Sequence, residues 1–204
     1  MRTNLPHAPH MKTFALACVT LACIGSVALG DTPATDTPRI GDHVPEFMTE
    51  RTTLSGSQPQ TTAFDSGKVK RVTTYIFVGS TCPATNAYAD RFKELERTYG
   101  PKGVDFVYLY PNGNDTHDVQ LGFHREKGFT GALIDDHGAR LAGLFKAKRT
   151  TEIFVVDTHG TIVFHGAVDD SREPRAITKR YLAPALDEIL AGKPVTTPTS
   201  DVFA

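Results

Sequence analysis

The stretch RVTTYIFVGSTCPATNAYADRFKELERTYGP, residues 71–101, decides the fold. Its first eight residues are β-branched and aromatic and end in a continuous apolar run, the pattern of a strand covered on both faces. Gly79-Ser80-Thr81 ends that strand. Pro83 then stands where a first helical turn tolerates it, and Tyr88, Phe92, Leu95 and Tyr99 recur at helical spacing until Gly100-Pro101 stops the pattern. Strand, tight turn and helix follow one another, with Cys82 at the junction.

The next segment repeats the plan. VDFVYLY (104–110) reads as a strand, PNGN (111–114) as a turn and 116–127 as a weaker helix carrying Val119, Leu121 and Phe123. Ala132 to Ile134 is a short strand and 139–147 a helix with Leu141, Leu144 and Phe145 on one side. Residues 152–156 and 161–165 flank Asp157-Thr158-His159-Gly160 as a hairpin. Residues 176–191 form an amphipathic helix interrupted at Pro184, and a polar tail follows from about 196. The order predicts an α/β domain, about 40–195: a central mixed sheet with helices on both faces, parallel in its first half and closed by a hairpin. Neither a repeat nor a second domain is visible.

The first thirty residues differ in kind. From Met11 the chain runs MKTFALACVTLACIGSVALG, a lysine followed by 16 apolar or small residues, Phe14 to Leu29, with no acidic residue before Asp31. That run is shorter than the ~20 residues of a spanning helix, and it ends in Ala28-Leu29-Gly30, so residues 1–30 read as a secretory signal peptide. An uncleaved anchor is the other reading. A lipid anchor on Cys18 or Cys23 lacks the leucine expected three positions upstream. Whether Met1 or Met11 is the start stays open. The expectation is a periplasmic or extracellular protein with no membrane span after cleavage, preceded by a flexible Thr/Pro-rich linker at 31–39.

Over all 204 residues, 22 Lys+Arg stand against 23 Asp+Glu, a formal charge of -1. Losing Arg2, Lys12, Cys18 and Cys23 with the signal leaves a charge of -3 and one cysteine, Cys82. No basic surplus exists to attract a phosphate backbone, which argues against nucleic acid as a partner. No internal disulfide can form in the mature chain, and a single thiol in an oxidising compartment is a liability unless buried or used. Amide groups at a helix N-terminus stabilise an anion, so a thiol at position 82 should ionise more readily than a free one. An inert, buried cysteine is the alternative.

The segments 75–92, 104–112, 150–170 and 186–195 together resemble the thioredoxin-like redoxins of the AhpC/TSA, peroxiredoxin-related type, secreted in many bacteria. The resemblance runs from about Gly41 to Val195. It implies a thioredoxin-like fold, with Cys82 as the attacking cysteine and Pro83 as the residue that follows it. It also shows departures. CPAT places Thr85 where thioredoxin-type reductases have a second cysteine. Gly79 stands where peroxiredoxins carry a threonine, Tyr75 replaces their proline, and Thr81 beside Cys82 is no direct substitute. Thr151 occupies the place of the cis-proline, and Arg149 nearby is either a cation for the thiolate or a solvated loop residue. The Thr85 hydroxyl either bonds the Cys82 thiolate or is an ordinary first-turn residue.

One thiol can be oxidised by peroxide to a sulfenic acid and restored by an external thiol, or form a mixed disulfide with a partner, a client protein whose own thiol then resolves it. A thiol oxidoreductase or peroxidase-like redoxin of this kind needs no cofactor. The rival is a non-catalytic binding scaffold. A copper metallochaperone comes third, since relatives that deliver copper use two cysteines and a histidine. The mature histidines, His43, His117, His124, His137, His159 and His165, read as surface residues rather than metal ligands, and Asp135-Asp136 and Asp169-Asp170 as solvated turn residues.

Overall fold

A computed structural model describes residues 40–56 and 58–202. The signal segment, the linker and residues 203–204 of the tail lie outside the described residues.

The chain forms β1 (Met48–Ser55), β2 (Gln58–Asp65), β3 (Val72–Phe77), α1 (Pro83–Tyr99), β4 (Val104–Tyr110), α2 (His117–Lys127), β5 (Ala132–Asp135), α3 (Arg140–Phe145), β6 (Ile153–Val156), β7 (Ile162–Gly166) and α4 (Leu182–Leu190). One seven-stranded sheet runs in the order β2-β1-β5-β4-β3-β6-β7. Strands β3, β4 and β5 are parallel, joined by the helical crossovers α1 and α2. The strands outside them, β6-β7 at one edge and β1-β2 at the other, pair antiparallel.

The central position of β3 explains its composition, since all six of its residues are buried. Successive side chains of a strand point to opposite faces, and the two cores obey that period. Ile76 and Val78 join Tyr88, Phe92, Tyr108 and Leu186 beneath α1, α2 and α4. Tyr75 and Phe77 join Leu109, Phe154 and the α3 residue Phe145 on the other face. Phe145 meets the rings of Tyr75, Phe77 and Phe154 at centroid distances of 5.0, 5.6 and 5.2 Å. The expected α/β sheet with helices on both faces is therefore present.

Two elements differ from the sequence reading. The last helix begins at Leu182, while residues 174–176 make a single 3-10 turn. Pro184 thus sits in the first turn of α4, where a missing N–H costs no intrahelical bond, rather than interrupting a longer helix. The β1-β2 hairpin was not expected. In β2 only Phe64 is buried, so this edge strand carries no alternating apolar signal.

Candidate functional site

Past Phe77 the chain stays on the sheet for one more bond, from the Val78 amide to the Leu109 carbonyl at 2.9 Å, and then turns. The Cys82 amide closes that turn on the Gly79 carbonyl at 3.1 Å. Cys82 has extended backbone angles and is the N-cap of α1, with Pro83 opening the helix. The sulfur therefore stands at the first-turn amides of α1, as the sequence leads one to expect. It is partly exposed rather than enclosed. On the other side of the turn, the Ser80 amide donates to the Asp115 carboxylate at 2.9 Å.

A residue not singled out from the sequence completes the site. Thr150 Oγ1 lies 3.0 Å from Cys82 Sγ. It arrives there because the loop before β6 is stitched to the end of β3: the Thr151 amide donates to the Phe77 carbonyl at 2.6 Å, and the Phe77 amide to the Glu152 carbonyl at 3.0 Å. A Cβ placed on Gly79 would lie 3.4 Å from Cys82 Cβ and 3.7 Å from Thr150 Cγ2, which measures how closely turn and loop approach. Burial pushes the Cys82 thiol up. The Thr150 hydroxyl, the amides of Thr85 and Ala84 and the Thr85 hydroxyl outweigh it, leaving the thiol below its ordinary value. None of these groups carries a charge.

The other residues singled out from the sequence fall around this centre. Thr85 is fully buried and its hydroxyl also accepts the Gly79 amide at 3.2 Å, so it braces the turn as well as the thiol. Thr151 is buried at φ 65, in the left-handed region that β-branched residues avoid, and its hydroxyl has no partner. No cis peptide occurs among the described residues. Arg149 turns its guanidinium to the Val202 carbonyl, 2.7 Å away. Thr81 is exposed on the turn.

Four side chains read as solvated are not. His124 is fully buried, its ring nitrogens bonded to the Tyr110 hydroxyl and the Gly131 carbonyl at 3.1 and 2.9 Å, and burial lowers it to about 4. His165 stacks on Phe154 and pairs with Glu152 at 2.7 Å. Asp169 is fully buried against Arg91, and Asp136 caps α3 by accepting the Leu141 and Ala142 amides, both at 2.8 Å. For His124, His165 and Asp169 a partner distant in the chain removes the group from water, and for Asp136 the first turn of α3 does. Among the described residues no group of three or more His, Cys, Asp or Glu could hold a metal ion, and no helix is long and apolar enough to cross a membrane.

A parallel β-α-β core closed by an antiparallel hairpin, with a thiol at the turn leaving the first parallel strand, defines a thioredoxin-like α/β protein. The chain belongs to the Redoxin family, which it matches over residues 39–182. Solved structures agree at the level of fold. An uncharacterized conserved protein from Geobacillus kaustophilus is similar at 23% identity and TM-score 0.68, over 79% of this chain and 87% of that one. A hypothetical protein from Sinorhizobium meliloti 1021 is similar at 19% identity and TM-score 0.69, over 82% and 92%. AhpC of Mycobacterium tuberculosis is similar at 14% identity and TM-score 0.55, over 76% and 98%. No curated protein matches.

Proposed function

We propose that the protein is an extracytoplasmic thiol oxidoreductase or peroxidase-like redoxin that works through the single thiol of Cys82. The observation that carries this reading is the hydrogen-bonded sulfur at the N-terminus of α1, partly open to solvent and with its thiol held below the ordinary value. A thiolate is the nucleophile in thiol chemistry, and a sulfur with a lowered pKa is the form prepared to react near neutral pH.

In the peroxidase form of the reaction, the Cys82 thiolate attacks a hydroperoxide oxygen. An S–O bond forms, the O–O bond breaks, and the leaving alkoxide or hydroxide takes up a proton, giving Cys82 sulfenic acid and an alcohol or water. An external thiol then displaces water to form a mixed disulfide. A second external thiol attacks that disulfide, releasing Cys82 and a disulfide of the two external thiols. Thr85 stands where a reductase of the two-cysteine kind would carry its resolving thiol, so both reducing equivalents come from outside. In the exchange form, the Cys82 thiolate attacks a client protein disulfide: the client S–S bond breaks as the mixed disulfide forms, the client's other sulfur leaves as thiolate, and an external thiol then attacks the mixed disulfide. The signal-like segment at 1–30 supports a periplasmic or extracellular setting.

The test is consumption of hydrogen peroxide by the mature chain with dithiothreitol as donor, together with trapping of a sulfenate by dimedone. Turnover and a dimedone adduct on Cys82, both lost in Cys82→Ser, are expected. A wild-type chain that gives neither turnover, sulfenate nor mixed disulfide leaves only the scaffold reading, in which Cys82→Ser retains every partner.

A further inference from the structure

We propose that Glu152 is a positioning residue for Cys82, acting through Thr150; the inference rests on the reading of Cys82 as the reacting thiol and deepens it. Thr150 reaches the sulfur from outside α1, and it sits in a loop, 148–152, with few reasons of its own to hold still. The Glu152 carboxylate supplies them. It is 5% exposed, and a buried carboxylate requires partners for both oxygens. Oε2 accepts the amides of Lys148 and Arg149 at 2.7 and 3.0 Å, folding the loop back on the residue that ends it. Oε1 accepts from His165 Nε2 at 2.7 Å, and since a carboxylate only accepts, the imidazole proton is on that nitrogen.

Thr150 is thereby clamped from two sides. Upstream, the two amides are tied to the Glu152 carboxylate. Downstream, Thr151 and Glu152 are tied through their backbones to Phe77. Between the clamps Thr151 holds a φ of 65, a conformation that persists in a β-branched residue only where the surroundings over-determine it. His165 is in turn fixed by stacking on Phe154, centroids 4.2 Å apart and planes 9° from parallel. Burial pushes the Glu152 carboxyl up, but His165 and the two amides overcome it, so the carboxylate form that makes all three bonds is the one present. The charged side chains nearest in sequence, Lys148 and Arg149, do not compete: the first is exposed and the second turns to Val202.

Glu152→Gln keeps the shape and removes the charge. Its amide offers one acceptor and a donating NH2, so at least one of the three donors loses its bond. The readout is the pH midpoint of Cys82 alkylation by iodoacetamide, measured on the whole mature chain and independent of any turnover. We expect the midpoint to rise by about one pH unit, tenfold less thiolate below the midpoint, and Glu152→Gln combined with Thr150→Val to rise no further than Thr150→Val alone. A midpoint unchanged by Glu152→Gln, or effects that simply add, overturns the proposal. Should Glu152→Gln fail to fold, His165→Phe keeps the stack on Phe154 and removes the donor: a raised midpoint supports the proposal and an unchanged one overturns it. A wild type that gives neither peroxide turnover, sulfenate nor mixed disulfide would defeat the redox reading and leave this comparison intact.

Discussion

Thr150 Oγ1 and Cys82 Sγ lie 3.0 Å apart although 68 residues separate them in the chain. The contact joins the turn after β3 to the loop before β6, and it is the one side-chain hydroxyl bond to the sulfur supplied from outside α1 and its turn.

Replacing Thr150 by valine keeps the shape and deletes the hydroxyl. A hydrogen bond to a charged group contributes about 1.5–3 kcal/mol, so the thiol midpoint should rise by about one to two pH units. Thr150→Ser should stay close to wild type. Alkylation rates across pH check both, and a valine variant with the wild-type midpoint would remove Thr150 from the groups that set the thiol's ionisation.

Arg91 and Asp169 form a buried pair at 2.7 Å, with Arg91 also donating to the carbonyls of Ser171 and Arg172 and lying 4.0 Å above the Tyr88 ring. Removing one partner leaves a buried charge without compensation. Asp169→Asn should therefore destabilise the fold by about 3–5 kcal/mol in urea denaturation. Replacing the exposed Lys93 or Asp90 of a surface pair should change stability little.

His124 gives a pH dependence with a definite sign. Burial lowers its folded value to about 4, below the ordinary value of 6.5. Between these limits the unfolded chain binds a proton that the folded chain does not. Stability is therefore complete above pH 6.5 and falls as pH drops toward 4, by roughly 3 kcal/mol at most. Glu152, with its folded value lowered, adds loss in the same direction further into acid. Denaturant midpoints measured from pH 7 to 4 should show the decline, and His124→Phe should flatten the part above pH 4.

The tail after α4 is docked: the His165 amide donates to the Pro198 carbonyl at 2.9 Å, and the Ala167 amide to the Ser200 hydroxyl at 2.9 Å. Ser200 lies so close to Gly166 that any Cβ there collides with it. Gly166→Ala should release residues 196–202, seen as new cleavage near the C-terminus in limited proteolysis with mass detection. An equally resistant tail would contradict the docking.

What the sequence discloses follows from which forces are local. The core of β3, α1 and β4 was legible because periodicity and burial agree there: Tyr88, Phe92, Leu95 and Tyr99 fall on one face of α1 and all are buried. Cys82 at the N-cap was legible because Gly79 and Pro83 mark both sides of the turn. Thr150 was not, since one threonine in RTTE looks like the next and its role depends on β6 pairing with β3. The burial of His124, His165 and Asp169 was hidden for the same reason, each depending on a partner at least seven residues away in sequence. The β1-β2 hairpin escaped because an exposed edge strand has no core face to write a pattern.

The ionisation of Cys82 itself decides the account. Iodoacetamide alkylation of the mature wild-type chain, followed as a function of pH, should give a midpoint clearly below the free-cysteine value of about 8.5. A midpoint at or above that value, or a sulfur that alkylates only after unfolding, would contradict it.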